Sequence, residues 1–428
     1  MYILLFVCGV FTSLNLSAQD SVQAIDLETA LKLGGANNLT VQKYVKLQQL
    51  EMANYKVAKE WWLPDFYAGT TVHQLWGNAM NGNGAIFQDV NRQNFWAGVG
   101  INATWDFGNG IFKTNAADLK VKAAEFKNVS EKNSALLEII DNYYDFIAAQ
   151  LYYSAYQKLS WQADSIAVQI GVQVQAELTY ESNWLMAKSN AKHIEVQMLQ
   201  AQSTYNDKSA ALIRLLNLDP RLKLVGTDTI LAPLTLTDST TETNFETAYQ
   251  KSPEIQGLDL LMQSLHEEKK TTTTGLYLPE LRVGTYGSMF GDVFSPINPT
   301  SEINAALIWR LPVGRMKNGG EKQQFDARIA LKETEILTSK AEINEELVRS
   351  KSRIETFKKQ ARVALEGSEF AERALKQSID RQNEFTVVPL EILQIQEMYI
   401  TSRLDYLKAV AGHNKAQYSY HVAAGNNL

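Results

Sequence analysis

The chain has 428 residues, of which 45% are hydrophobic and 21% are charged, and its formal net charge is −6. This composition is typical of a folded globular chain and argues against both intrinsic disorder and a basic surface that would bind nucleic acid. The single cysteine is Cys8, so a chain processed beyond it would have neither disulfides nor thiol chemistry.

An apolar run from Met1 to Leu16 opens the chain and ends in Ser17-Ala18-Gln19. This pattern predicts a secretory signal peptide over residues 1–19, with cleavage before Asp20. The run is too short to span a bilayer, and no later stretch reaches about 18 uninterrupted apolar residues. We therefore expect an exported protein without a membrane-spanning helix.

Residues 20–218 predict a first structural unit. A helix is expected from Asp26 to Glu60, and it should end at Leu63-Pro64 because the residue before proline avoids the α conformation. Gly108-Asn109-Gly110 is interpreted as a turn. The elements expected around this turn are strands at 65–76 and 94–107, joined by a Gly/Asn-rich loop at 77–93, and a helical hairpin at 113–218.

The segment 94–107 alternates strictly between two kinds of side chain. One set is apolar: Phe95, Ala97, Val99, Ile101, Ala103 and Trp105. The other set is small or polar, apart from one tryptophan: Trp96, Gly98, Gly100, Asn102, Thr104 and Asp106. This period of two fits a strand between lipid and water, and it fits a half-buried strand of a soluble protein equally well.

From residue 113 to residue 175 the chain has no proline, and apolar residues recur every 3.5 residues on average. This pattern predicts a coiled-coil seam through Leu119, Ala123, Ile140, Ile147, Trp161, Val168 and Val172. A second rod is expected over 320–384, with its seam through Ile343, Leu347, Ile354, Ala361, Ala371 and Leu375. About 63 helical residues extend about 95 Å, which is longer than a compact domain is wide.

After a Thr-rich linker at 219–244, residues 245–428 repeat the plan of the first unit. Phe245-Glu246-Thr247-Ala248 echoes Leu27-Glu28-Thr29-Ala30, and Leu278-Pro279 echoes Leu63-Pro64. The sequence therefore predicts an internal duplication of helix, two strands and helical hairpin. The second unit should contain strands at 280–290 and 302–311 and a helical hairpin at 320–424.

Four strands cannot close a membrane barrel, and lipid does not tolerate an open sheet edge. If the strands lie in a membrane, the protein must be an oligomer. Six of the eight tryptophans lie in or beside the strands. They fit an interfacial aromatic belt, although tryptophan also has a high intrinsic β-propensity.

The order of elements, the Leu-Pro that ends each first helix, and Leu-Leu-Asn-Leu-Asp-Pro ending at Pro220 resemble the TolC-type outer-membrane efflux proteins. The hairpin tips carry the most specific part of the resemblance, at 177–185 and 385–393. Glu177 and Phe385 stand where that family usually has glycine, and Asn183 stands where it has an acidic residue. The tip residues implied to contact an adaptor protein are Glu177, Leu178, Thr179, Asn183, Trp184, Phe385, Thr386, Val387, Leu390 and Glu391.

The resemblance implies a mainly α fold in which three chains form a 12-stranded β-barrel, continuous with a long periplasmic α-helical barrel. It implies a passive exit duct in the outer membrane, embedded in lipid and reaching into the periplasm. It further implies that a periplasmic membrane-fusion adaptor and an inner-membrane pump bind at the tips. The tips also fit ordinary turns, but exposed apolar residues favour a contact surface.

Glu369, Glu372 and Asp380 precede the second tip and would form a cation-selective ring if they face the lumen. A solvated outer face explains these three residues equally well. The five histidines show no metal-ligand spacing, and the chain has neither a phosphate-binding glycine loop nor a Gly-x-Ser-x-Gly motif. We therefore expect no enzyme activity, cofactor or metal site.

A soluble periplasmic coiled-coil scaffold or adaptor is the alternative. It accounts for the heptads and for the signal peptide. It does not account for alternating strands flanked by tryptophan at the same place in both halves of the chain.

Overall fold

The computed structural model describes residues 22–236, 244–291, 298–383 and 389–428. The predicted signal peptide and residues 237–243 of the predicted linker lie outside these ranges. The helices are α1 (Leu27–Asn37), α2 (Leu39–Lys59), α3 (Phe107–Gln175), α4 (Glu181–Leu215), α5 (Phe245–Lys251), α6 (Pro253–Lys270), α7 (Val313–Asn318), α8 (Gly320–Asn383) and α9 (Pro389–Ala423). The strands are β1 (Val22–Ile25), β2 (Asp65–Met80), β3 (Ile86–Asp106), β4 (Lys223–Gly226), β5 (Glu280–Gly291) and β6 (Asn298–Ile308).

The prediction of one helix over residues 26–60 was wrong, because the structure has two helices there, α1 and α2. Asn38 separates α1 from α2 and adopts a non-helical conformation. Its side-chain oxygen accepts hydrogen bonds from the backbone N–H groups of Thr40 (2.8 Å) and Val41 (3.2 Å), so it caps the second helix. Its amide donates to the carbonyl of Leu215 at 2.9 Å, which ties the break to α4.

The long loop predicted at 77–93 is mostly strand. β2 continues to Met80 and β3 begins at Ile86, so the connection is short. The Asn81 side chain accepts hydrogen bonds from the backbone N–H groups of Asn83 (3.1 Å) and Ala85 (2.9 Å). A single asparagine therefore organises a turn over residues 81–85, and the residues on either side of it pair as strand.

The turn predicted at Gly108-Asn109-Gly110 was also wrong, because these residues form the first turn of α3. Asp106 caps this helix and accepts from the backbone N–H of Asn109 at 3.0 Å. Gly108 and Gly110 allow neighbouring groups to pack closely against the start of α3. A Cβ on Gly108 would lie 2.3 Å from the carbonyl oxygen of Gly275, and one on Gly110 would lie 2.1 Å from the Trp61 ring.

The two helical hairpins are formed by α3 with α4 and by α8 with α9. α3 packs against α4, and also against α9 of the other hairpin. At 69 and 64 residues, α3 and α8 each extend about 100 Å. The short helix α7 lies between the predicted strand at 302–311 and the second hairpin, and Gly319 after it has a left-handed backbone (φ 61°).

The predicted seam of α8 is confirmed, since Leu347, Ile354, Ala361, Ala371 and Leu375 are buried. The seam of α3 is confirmed only as far as Ile147. Beyond it the helix buries another stripe, Leu159, Ala163, Ile166, Ala167 and Ile170, and exposes the predicted residues Trp161, Val168 and Val172. A helix of 3.6 residues per turn drifts away from a 3.5-residue repeat, so this part of α3 has two apolar stripes.

The largest core lies midway along the bundle. Its buried members include Ile139, Ile140, Tyr143, Phe146, Ile147, Leu212, Leu216, Leu224 and Val410. β1 and β4 form a parallel pair at this level, with Ala24 opposite Val225. The sequence analysis did not predict β1, whose four residues are too short to show a period of two.

Candidate functional site

The four-stranded antiparallel sheet β2–β3–β5–β6 has two different faces. Residues paired across neighbouring strands share a face, so the register defines both. One face carries mainly small, polar and aromatic residues: Tyr67, Thr71, His73, Trp96, Gly98, Asn102, Arg282, Tyr286, Ser288 and Glu302. The other face carries mainly apolar residues: Phe66, Val72, Val99, Ile101, Leu281, Met289, Ile303 and Leu307.

The apolar face is uncovered in the single chain. Phe66 is 77% exposed and Ile303 is 82% exposed, and Val72, Val99, Met289 and Leu307 are exposed as well. An apolar surface of this extent marks contact with lipid or protein.

On the polar face, aromatic rings lie over glycines. A Cβ on Gly100 would lie 2.6 Å from the Tyr67 ring, which explains why this position is glycine. The Trp96 and Tyr286 rings meet edge to face with centroids 6.0 Å apart, and the Tyr286 hydroxyl donates to the carboxylate of Glu302. The polar face is therefore built from side chains that contact one another, whereas the apolar face presents its side chains outward.

Both edges of this sheet are open in the part of the chain that the structure describes. β2 pairs only with β3, and β6 pairs only with β5. Each outer edge presents unpaired backbone N–H and C=O groups, which bind another strand or water.

The first tip follows α3, and its conformation is defined. Glu177 has a left-handed backbone (φ 60°), and its N–H donates to the carbonyl of Val174 at 3.0 Å. The N–H of Leu178 donates to the carbonyl of Gln173 at 2.9 Å, which completes a Schellman motif. Glycine is the usual residue at this left-handed position. Leu178 is exposed, and the Asn183 amide donates to the Thr179 hydroxyl at 2.8 Å.

Trp184 differs from the other residues of the first tip because it is partly buried. Its indole packs in a cluster with Ile166, Ile170 and Ile379, and the Lys188 ammonium lies 4.2 Å from its ring centroid. Of the predicted contact residues at this tip, Leu178 is therefore the apolar side chain that is free to meet a partner.

The second tip is described in part. Phe385, Thr386 and Val387 lie outside the described residues. Leu390 is exposed, and Glu391 accepts a hydrogen bond from Arg381 at 2.9 Å. The two tips lie side by side, because the amide of Gln382 donates to that of Gln173 at 3.0 Å.

Glu369, Glu372 and Asp380 are all exposed, and their spacing places them on one flank of α8. The structure thus brings these three carboxylates onto one side of a single helix.

Among the described residues, none of the helices combines the length and apolarity that crossing a membrane requires. In the same ranges, no group of three or more His, Cys, Asp or Glu side chains is positioned to hold a metal ion.

Three solved structures show what this arrangement of elements is similar to. The outer-membrane channel CmeC of Campylobacter jejuni aligns with a TM-score of 0.77 at 14% identity, over 93% of this chain and 85% of that one. The outer-membrane protein VceC of Vibrio cholerae aligns at 0.76 and 13% identity, over 94% and 96%. The open state of the MtrE outer-membrane channel of Neisseria gonorrhoeae aligns at 0.74 and 11% identity, over 94% and 89%.

This is the TolC-type outer-membrane channel fold. The resemblance inferred from the sequence is confirmed at the level of the fold. No protein-family model matches the chain, and no curated protein matches it in sequence. The structural neighbours named above are channels or outer-membrane proteins, and none is described as an enzyme.

Within this TolC-type fold, a cluster of charges midway along the helices was missed by the sequence analysis. Asp145 on α3 accepts a hydrogen bond from Lys208 of α4 at 2.9 Å and another from Lys415 of α9. Asp141 lies one turn earlier on α3, and its Oδ1 is buried with no hydrogen-bond partner among the described residues. The signal that could have revealed the cluster is the pair of aspartates four residues apart on a largely apolar stretch.

The two carboxylates differ in electrostatics. Burial raises the pKa of Asp141 and outweighs the opposing attraction of Lys415. Burial acts in the same direction on Asp145, but hydrogen bonds from Lys415 and Lys208 and the charges of those lysines hold its pKa below the usual range. Asp145 is therefore the anion that joins three helices, and Asp141 is the carboxyl group that gains proton affinity on folding.

Proposed function

We propose that this chain is the outer-membrane exit duct of an efflux or secretion assembly. In this proposal three chains form a 12-stranded barrel in lipid, and their helices continue it as a hollow rod in the periplasm. Substrate passes through passively, driven by an inner-membrane pump that is linked to the duct by a periplasmic adaptor at the helical tips. The protein has no catalytic role.

The proposal rests mainly on the form of the four-stranded sheet. This sheet has an exposed apolar face, a polar face and, in the part of the chain that the structure describes, two open edges. Lipid tolerates strands only in a closed barrel, and closed membrane barrels have at least about eight strands. At 16 and 21 residues, β2 and β3 exceed the roughly ten residues that a tilted strand needs to cross a bilayer. Three copies of a four-stranded sheet supply twelve strands, which is the number that the TolC-type resemblance implies.

The exposed apolar stripes on the helices support the same assembly. Trp161, Val168 and Val172 on α3 are exposed in the single chain, and so are Val363 and Phe370 on α8. Apolar residues at helical spacing on a solvent-exposed face are expected to pack against another helix. We infer that they contact the helices of neighbouring chains.

The adaptor contact is proposed at the tips. Leu178 and Leu390 are exposed beside the polar groups of Glu177 and Glu391. An apolar patch with polar residues at its rim is the usual form of a contact surface. Glu369, Glu372 and Asp380 are proposed to line the lumen near this end and to favour cations.

The deciding experiment measures the mass of the purified chain in mild detergent, by size exclusion with light scattering, followed by conductance in planar lipid bilayers. We expect a detergent-dependent particle of three chains that forms discrete ion-conducting pores. A monomer or dimer that stays soluble without detergent and forms no pores would instead establish the alternative, a soluble periplasmic scaffold or adaptor.

A further inference from the structure

A cleft of about 610 Å³ opens midway along the helical bundle, at the charged cluster described above. All four long helices line it: α3 with Asp141 and Asp145, α4 with Lys208, α8 with Arg353, and α9 with Lys408 and Lys415. Its volume is within the range that holds a drug-sized organic molecule.

The cleft has more positive than negative groups. Four cationic side chains line it, against two carboxyl groups. Asp145 forms salt bridges with both Lys208 and Lys415. Because one carboxylate is shared by two ammonium groups, the two lysines keep part of their positive charge. Arg353 and Lys408 are exposed, and neither makes a hydrogen bond or a salt bridge with any residue in the described ranges. Arg353 is nevertheless near enough to Asp141 for its charge to favour the ionised carboxylate.

The remaining wall of the cleft is mainly apolar, with the hydroxyl groups of Thr204, Ser350 and Ser419 among it. Phe357, Tyr152, Ala148 and Ala411 contribute to it. Gly412 makes room for the Phe357 ring, since a Cβ there would lie 2.7 Å from a ring carbon. The cleft thus places aromatic side chains beside two cations that make no salt bridge within the described residues, a combination that suits a ligand with an apolar body and an anionic group.

The cleft lies on the side of the bundle opposite the segment that contains β4. Tyr143, two residues before Asp145, donates to the carboxylate of Asp228 at 2.8 Å. His413, two residues before Lys415, has its Nε2 3.0 Å from the carbonyl oxygen of Leu234. Residues two apart on an α-helix point in nearly opposite directions, so the segment covers one side of α3 and α9 and the cleft opens on the other.

We propose that this cleft binds organic anions that combine an apolar ring system with a sulfonate, carboxylate or phosphate group. Arg353 and Lys408 receive the anionic group, and Phe357 with Tyr152 contacts the ring system. The position of the cleft in the lumen of a duct rests on the proposed function. With the segment at β4 on the outer surface of the proposed trimeric duct, the cleft on the opposite side of α3 and α9 would face the lumen, where a passing substrate meets it.

The first test measures binding directly. Naphthalene-2-sulfonate is titrated calorimetrically into the protein held in amphipol, with 2-naphthalenemethanol as the neutral probe of matched shape. We expect the sulfonate to bind and the alcohol not to bind. We expect the double variant Arg353→Gln/Lys408→Gln to bind the sulfonate at least about tenfold more weakly, because two charge-assisted contacts are lost.

The matched control is Lys32→Gln/Arg221→Gln, which removes two cations of exposed ion pairs away from the cleft. This control should bind as the parent chain does. Equal affinity of the parent and the cleft variant, or equal affinity for the sulfonate and the alcohol, would overturn the proposal.

The second test separates this proposal from the duct itself. Reversal potentials in a KCl gradient across planar bilayers report the ratio of chloride to potassium permeability. We expect the Arg353→Gln/Lys408→Gln variant to conduct with a lower ratio than the parent, and an unchanged ratio would contradict a lumenal cleft. Absence of pores in all variants would refute the duct, whereas the calorimetric result would still decide whether the cleft binds anions.

Discussion

The indole of Trp184 lies directly against the backbone of Gly171, so closely that a Cβ on Gly171 would be 2.8 Å from Nε1. Gly171 is inside α3, where glycine is less favourable than alanine by about 1 kcal/mol. The chain therefore gives up helix propensity at this point to seat the tryptophan that joins α3 to α4.

We predict that Gly171→Ala lowers the free energy of unfolding by about 1–3 kcal/mol, because the indole must move out of its site. Thermal melting followed by far-UV circular dichroism and by tryptophan fluorescence measures this change. Gly367→Ala on α8 is the control, since a Cβ there meets only the Ser402 hydroxyl oxygen at 3.9 Å. The control should be neutral or stabilising, and equal destabilisation by both changes would contradict the packing described.

At the first tip, Glu177 adopts a left-handed conformation that costs a residue with a side chain about 1 kcal/mol. We predict that Glu177→Gly raises the free energy of unfolding by about 0.5–1 kcal/mol, part of the gain being offset by the larger entropy of glycine in the unfolded chain. Gln175→Gly, two residues earlier and still within α3, should lower it. Chemical denaturation of the two variants side by side measures the difference, and the same sign for both would argue against the Schellman geometry.

Asn38→Ala removes the cap of α2 together with the hydrogen bond to the carbonyl of Leu215, at a site that is 4% exposed. We expect a loss of about 2–3 kcal/mol in the free energy of unfolding. Asn244→Ala removes only the exposed cap of α5, where Thr247 donates at 3.1 Å, and should cost about 1 kcal/mol. Denaturant titration compares the variants, and an equal cost for both would show that the Leu215 bond contributes nothing.

Val72 and His73 are neighbours in β2 and lie on opposite faces of the sheet. An arginine on the lipid-facing side of a membrane strand costs about 2–4 kcal/mol near the middle of the bilayer, whereas one on the lumenal side is tolerated. We predict that Val72→Arg reduces folding into lipid vesicles strongly and that His73→Arg leaves it nearly unchanged. The fraction of chain that becomes protease-protected on refolding with vesicles measures this, and the reverse order would mean that the faces are assigned wrongly.

Asp141 and Asp145 should respond to pH with opposite signs. The pKa of Asp145 is lowered on folding, so its stabilising effect is present above the usual aspartate range and is lost as the pH falls through the folded pKa. The pKa of Asp141 is raised, so ionisation of this group opposes folding as the pH rises through the folded pKa.

At pH 7 we therefore expect Asp145→Asn to destabilise the protein by about 1 kcal/mol, a modest figure because the ion pairs are partly exposed. Asp141→Asn should stabilise it at the same pH. Urea unfolding between pH 3 and pH 7 measures both. The stabilisation by Asp141→Asn should disappear toward acidic pH, and a stabilisation that does not change with pH would mean that ionisation of Asp141 is not its cause.

Much of the fold could be predicted from periodicity, because long helices and alternating strands repeat one pattern many times. The α8 seam and the paired strands follow from such repeats. The predictions failed where a single side chain decides the outcome. Asn38 breaks a helix by capping the next one, Asn81 shortens a loop to a turn, and Gly108 and Gly110 meet neighbours that are distant in sequence.

The candidate site was less predictable than the fold. The positions of the tips followed from the resemblance, whereas the partial burial of Trp184 depends on Gly171, thirteen residues away along the chain and on another helix. The cleft between the four long helices could not be predicted, because its cations come from three different helices whose packing register the sequence does not specify.

The open edges of the sheet have a consequence for genetics. In the proposed trimer each chain supplies strands that its neighbours need, so a chain that cannot pair at one edge would still occupy a place in the assembly through its other edge. A variant with proline substituted into β6 should therefore act as a dominant inhibitor when it is produced together with the parent chain. A variant that cannot fold at all should be recessive.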